Sequence, residues 1–171
     1  MSVADTFFLK EQSNISSASI ILRRGVGAEA IGSSIGMAMP APNRWTAKAA
    51  AVMLATAPET WLIHQRDAPI SWFHDLEHKL QGCASLSELT GAFRFFQLDG
   101  PKARTLLQRG MAIDFHDSMF PAGSLAMSVI AHIDVSVRCL KTGESYEIAV
   151  NRSYAESFLR WFHAASRGIS S

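Results

Sequence analysis

Between Ile133 and Val150 apolar side chains recur at every second position on both sides of a short turn. No other stretch of the chain constrains its fold so tightly. Ile133, Val135, Val137 and Cys139 alternate with Asp134, Ser136 and Arg138. After Lys141-Thr-Gly-Glu144 the alternation resumes at Tyr146, Ile148 and Val150. A period of two places one set of side chains on one sheet face, so the stretch predicts an antiparallel hairpin with an apolar side. That side must be covered by another layer of structure.

The flanks predict helices for that layer. Phe93-Arg-Phe-Phe-Gln-Leu98 reads as a strand, followed by Asp99-Gly100-Pro101 and the stripe Ala103, Leu106, Leu107. Pro101 suits the first helical position, where its missing N–H is no loss. Gly110 is expected as a left-handed C-cap residue, with Met111 folding back on Leu106. The Phe120-Pro121-Ala122-Gly123 turn leads into a strand over 124–130. Ser153-Tyr-Ala-Glu156 has the spacing of a capping box, opening a helix that buries Ala155, Phe158, Leu159 and Phe162.

The first half is looser. Residues 1–17 are polar and Ser-rich with Phe7, Phe8 and Leu9, and read as an extended arm that is either a flexible tail or docked on a partner. Ser19–Arg23 reads as a short strand. The following stretch to Arg44, with Gly25, Gly27, Gly32, Gly36 and Pro40, reads as a long flexible loop. Ala49–Ala55 and Thr60–His64 flank a Pro58 turn and suggest a hairpin, although the alanines of the first run also suit a helix. Ile70–Gly82 reads as a helix with Trp72, Phe73, Leu76 and Leu80 on one side. The expected fold class is α+β: antiparallel sheets, ferredoxin-like, with helices packed on one face. It is expected as a single domain over 18–171, with a looser half at 18–90 and a well-defined half at 91–166. No sequence repeat stands out.

Composition narrows the function classes. The 171 residues are 48% hydrophobic and 18% charged, as in an ordinary soluble globular chain. A chain of this size buries roughly 70% of its unfolded surface and needs no metal or disulfide to fold. A formal net charge of +1 gives no field for nucleic acid. No apolar run is long enough for a membrane helix or signal peptide, so the cytoplasm is expected. Cys83 and Cys139 fit a reduced compartment, with a single disulfide left open.

Several constellations resemble catalytic sites without completing one. His74-Asp-Leu-Glu77-His78 follows an H-x-x-E-H order known from zinc peptidases, but both histidines fall on the helix side opposite the apolar stripe. Gly25-Val-Gly27-Ala-Glu-Ala30 matches G-x-G-x-x-A, yet no acid follows between Glu29 and Glu59, as a ribose site would need. His116-Asp117-Ser118 holds triad residue types at adjacent positions, where they cannot converge. His64 and His132 are expected on strands as core or interface residues. Trp45, Trp61, Trp72 and Trp161, with ten phenylalanines, serve the core or a buried partner surface. No catalytic, cofactor-binding or metal-binding residue is assigned.

The ordered motifs resemble the gamma subunit of heterotetrameric sarcosine oxidase, a family related to the folate-binding T-protein of the glycine cleavage system. The resemblance spans Thr60 to Ala164. It is carried by Leu98-x-Gly100-Pro101-x-Ala103-x-x-Leu106-Leu107-x-x-Gly110, Ile113-Asp114-Phe115, Phe120-Pro121-x-Gly123 and Arg152-Ser153-Tyr154-Ala155 with Trp161. It implies an accessory subunit assembled with alpha, beta and delta subunits into an enzyme that oxidatively demethylates an N-methyl amino acid. FAD, FMN, NAD and tetrahydrofolate would reside in those partners, and no cofactor in this chain. Family members tend to carry a Ser-His pair and an arginine before the Gly-Pro helix. Here Thr90-Gly-Ala-Phe-Arg94 keeps the arginine and lacks the histidine. Two other readings stand beside it. One is a free-standing folate-binding or one-carbon-transfer domain using Asp99 or Asp114. The other is a metal peptidase at His74 and His78.

Overall fold

The computed structural model describes residues 7–169. In chain order these form β1 (Phe8–Gln12), β2 (Ile15–Leu22), α1 (Ala28–Ile35), β3 (Trp45–Lys48), β4 (Ala51–Ala57), β5 (Thr60–Arg66), α2 (Trp72–Lys79) and β6 (Ala84–Glu88). There follow β7 (Phe93–Asp99), α3 (Ala103–Gln108), β8 (Leu125–Ile130), β9 (Ile133–Lys141), β10 (Ser145–Asn151) and α4 (Ala155–Arg167). The described residues divide into two compact units: residues 13–92, and residues 7–12 together with 93–169.

In the 13–92 unit the sheet order is β3-β4-β5-β2-β6, and every pairing is antiparallel. Taken as β2-α1-β4-β5-α2-β6, this is the split βαβ arrangement, with β3 added at one edge. Ile20, Met53 and Ile63 from the sheet pack with Ile31 of α1 and with Trp72, Leu76 and Leu80 at α2.

The second unit has the order β1-β7-β10-β9-β8. Here β7, β9, β10, α3 and α4 play the parts of β2, β4, β5, α1 and α2, and β8 matches β3. The place of β6 is taken by β1, from the far end of the chain. The topology therefore repeats where the sequence showed no repeat, because two sheets need share only a burial pattern. Phe96, Leu98, Val137, Tyr146 and Ile148 meet Leu106, Leu107, Phe158 and Phe162 in its core. The expected α+β class, antiparallel sheets with helices on one face, is the observed one.

The N-terminal segment departs from the expected arm. Residues 1–6 lie outside the described residues. From Phe8 onward the chain is sheet, with Phe8 opposite Asp99 and Gln12 opposite Phe95, and β2 begins as early as Ile15. Leu9 packs on the core, and Phe7 meets Phe162 edge-on at 5.8 Å between centroids. These apolar contacts and the ladder outweigh the polar composition of the segment.

The glycine-rich stretch likewise holds a helix rather than a flexible loop. In α1, Gly32 sits where a methyl group would come within 2.8 Å of the Met37 carbonyl oxygen. Glycine there permits a close return of the chain instead of breaking the helix. Gly36 closes α1 in the left-handed conformation at φ 67°, and Lys48 Nζ donates to its carbonyl at 2.6 Å, a cation at a helix C-terminus. The edge strands β3 and β6 were not expected from the sequence. Both are short and lack a long alternation.

Three cap assignments also change. Pro101 lies in a turn before α3, whose first residue, Ala103, donates to the Gly100 carbonyl at 3.0 Å. Gly110 is not in the left-handed region; a methyl group there would fall 2.2 Å from Trp161 Cζ2, so glycine makes room for the indole. Ser153 belongs to a single 3₁₀ turn, Arg152–Tyr154, and α4 has no side-chain cap at its N-terminus. Its C-terminus is held from α3 instead: Arg109 donates to the carbonyls of Ala165 (3.0 Å) and Gly168 (2.7 Å).

Candidate partner interface

His74, Glu77 and His78 are exposed on α2, on the side away from Trp72 and Leu76. They line an open cleft with Arg23 and Gln81. Among the described residues no group of three or more His, Cys, Asp or Glu side chains is placed to hold a metal ion. The Gly25–Ala30 stretch does open a helix, α1. However, the Glu29 carboxylate folds back on Gly27, 1.9 Å from where a methyl group on that glycine would stand. A negative group already occupies the end where a phosphate would bind.

His116, Asp117 and Ser118 form a local turn. His116 Nδ1 lies 2.8 Å from Ser118 Oγ, while Asp117 pairs with Arg104 and does not orient the imidazole. Asp114 accepts from the His116 N–H at 2.9 Å. Asp99 accepts from Ser145 Oγ at 2.5 Å and from Gln97 Nε2 at 3.0 Å. Both carboxylates proposed for a folate site thus have local partners.

Cys83 and Cys139 are not joined in a disulfide. Burial pushes the Cys139 thiol above its ordinary value, which suits an apolar filler and disfavours the reactive thiolate. His64 is buried on β5. His132 is not on a strand: with Ala131 it forms the two-residue turn between β8 and β9, and both have positive φ (49° and 68°). That is the requirement of a type I′ hairpin turn. Trp61 and Trp72 are buried, whereas Trp45 and Trp161 are half-buried.

Arg94, the arginine retained on β7, is a clamp. It donates from Nε to Glu11 Oε1 at 2.6 Å and from Nη2 to Glu11 Oε2, and reaches Glu156 of α4 at 3.4 Å. Its guanidinium lies over the Phe96 ring, 5.9 Å from the centroid. The Glu11 hydrogen bond raises the Arg94 pKa further, so the group stays charged at every working pH.

A cavity of about 240 Å³ in the 13–92 unit is lined by Met37, Ile63, Trp72 and Leu76, with Gln65, Asp75 and Lys79 also on its wall. It is below the ~300–1,000 Å³ usual for sites enclosing a drug-sized ligand. A further feature of the surface is apolar exposure. Met119, Met127, Val129, Ile70 and Phe8 present large side chains to solvent. Met127 and Val129 stand two residues apart on one face of β8, at the edge of its sheet. The sequence signal for them was available: Leu125–Ile130 contains no charged residue.

The family model for the sarcosine oxidase gamma subunit matches residues 25–168. The chain belongs to that family. A search of curated proteins gives no match. Among solved structures, the chain is similar to one from the heterotetrameric sarcosine oxidase of Corynebacterium sp. U-96, crystallised with pyrrole 2-carboxylate. The TM-score is 0.87 at 21% identity, covering 96% of this chain and 86% of that one. It is also similar to the glycine cleavage system aminomethyltransferase T of Bartonella henselae, with a TM-score of 0.65 at 13% identity. That match covers 92% of this chain but 45% of the transferase. The second likeness is one of fold and accounts for the T-protein-like architecture expected from the motifs.

Proposed function

We propose that this chain is a non-catalytic gamma-type subunit of a cytoplasmic, heterotetrameric sarcosine oxidase-like flavoenzyme, which it helps to assemble. The observation that carries this reading is the family match over residues 25–168. The side-chain geometry supports it: Arg94, Asp99, Asp114 and Asp117 are tied into structural contacts. Its partners are alpha, beta and delta subunits, which carry FAD, FMN, NAD and tetrahydrofolate. The flavin in those subunits would accept hydride from an N-methyl amino acid, and tetrahydrofolate or water would capture the resulting imine. This chain supplies apolar surface and the edges of its sheets.

The test is to assay the purified chain alone. It is expected to show no flavin absorbance, no oxidation of sarcosine and no heat on titration with a reduced folate. Turnover of an N-methyl amino acid by the isolated chain would overturn the reading. Measurable folate binding would favour the one-carbon-transfer alternative.

A further inference from the structure

Among the described residues four strands end the two sheets: β1 and β8 in one, β3 and β6 in the other. Three of these edges carry charge, through Lys10 and Glu11 in β1, Lys48 in β3 and Glu88 in β6. The fourth, Leu125-Ala-Met-Ser-Val-Ile130, has neither a charge nor a proline and is six residues long. It pairs with β9 from Leu125 opposite Arg138 to Ile130 opposite Ile133 with no bulge. Exposed sheet edges are normally blunted by lysine, proline, bulges or brevity, because a regular apolar edge templates pairing with another chain. β8 has none of these protections. Its Met127 and Val129, on the same face, are 56% and 46% exposed.

We propose that the outer edge of β8 is the docking site for an extended segment of an unlike subunit. That segment adds a sixth strand to the β1-β7-β10-β9-β8 sheet and lays uncharged, apolar side chains on Met127 and Val129. The proposal rests on the subunit reading above, in which this chain sits among unlike chains. The other three edges argue the same way. Their charges keep them in water, so the uncharged edge is the one built to be covered. Main-chain pairing would give the affinity, and the methionine and valine the selectivity for an apolar strand.

The test compares amide hydrogen exchange of the full chain alone and in the complex purified after co-expression with its host's large sarcosine oxidase subunits. Exchange over 125–130 is expected to slow by about tenfold or more in the complex, while β6 stays unchanged. A Met127→Lys, Val129→Lys variant is expected to lose co-purification and to keep the far-UV spectrum and melting behaviour of the wild-type chain. Co-purification of wild type with unaltered exchange over 125–130 would overturn the β8 proposal and leave the subunit reading standing. A dimer of the isolated chain with β8 already protected would also overturn it, by assigning the edge to a second copy. Failure of wild type to co-purify at all would overturn both.

Discussion

Arg94 and Glu11 stand 83 positions apart in the chain and are joined by two side-chain hydrogen bonds, one of them 2.6 Å long. The pair fastens β1 to β7 and thereby ties the start of the chain into the sheet of its second half. Planar two-point pairing of this kind is stronger than a single contact, but both side chains remain partly exposed. Glu11→Gln is expected to lower stability by about 0.5–1 kcal/mol, read as a shift in the urea midpoint. A double-mutant cycle with Arg94→Gln should show coupling that shrinks at high salt.

Gly110 is expected to resist substitution for a reason unrelated to backbone conformation. Gly110→Ala puts a methyl group against Trp161 Cζ2 and should cost about 1–3 kcal/mol by overpacking. Trp161→Leu should relieve most of that cost in the double variant, although it is destabilising alone. A left-handed cap would behave differently, since shrinking Trp161 could not rescue it.

The Tyr146 ring is fully buried against Phe115 and Phe120, and the Arg104 side chain acts on its hydroxyl. Burial pushes both Tyr146 and Cys139 above their ordinary values of 10.0 and 9.0. The native state therefore keeps protons that the unfolded chain releases. Their contribution is whole below about pH 9 and is lost as pH rises beyond the unfolded values toward the folded ones. Tyr146→Phe should flatten the loss above pH 10, measured by urea titrations across pH 7–11. An unchanged alkaline slope would contradict this.

Arg138 on β9 and Glu147 on β10 form a buried two-point pair at 2.7 and 2.9 Å, both side chains under 10% exposed. Glu147→Leu alone leaves a buried guanidinium without its counter-charge and should cost about 3–5 kcal/mol. Arg138→Met combined with Glu147→Leu should recover most of that loss. The comparison needs only three unfolding curves.

How much of this was legible in the sequence follows from where each signal resides. β7, β9, β10 and α4 announce themselves because their periodicity is local: Val135, Val137 and Cys139 need no partner to be read. β1 does not, because Phe-Leu-Lys-Glu-Gln becomes a strand only beside β7, far along the chain. Gly32 and Gly110 misled in a specific way. Glycine is selected equally by a helix stop and by a close neighbour, and the neighbours, Met37 and Trp161, are known only after folding. His74 and His78 were placed correctly on the solvent side of α2 by the helical wheel. His132 was misplaced because a type I′ turn without asparagine or glycine leaves no mark. At β8 the missing charge was visible in the sequence, but it acquired meaning only once β8 proved to be an edge.

On the proposed reading this chain works as one subunit among unlike partners. Native mass spectrometry of the tagged chain, co-expressed with the large subunits of its host's sarcosine oxidase, tests it most directly. A single assembly holding one copy of this chain and bound flavin is expected, with N-methyl amino acid oxidation in that species and none in the chain alone. A folded chain of 18.7 kDa that remains unassociated beside an intact, fully active set of the other subunits would contradict it.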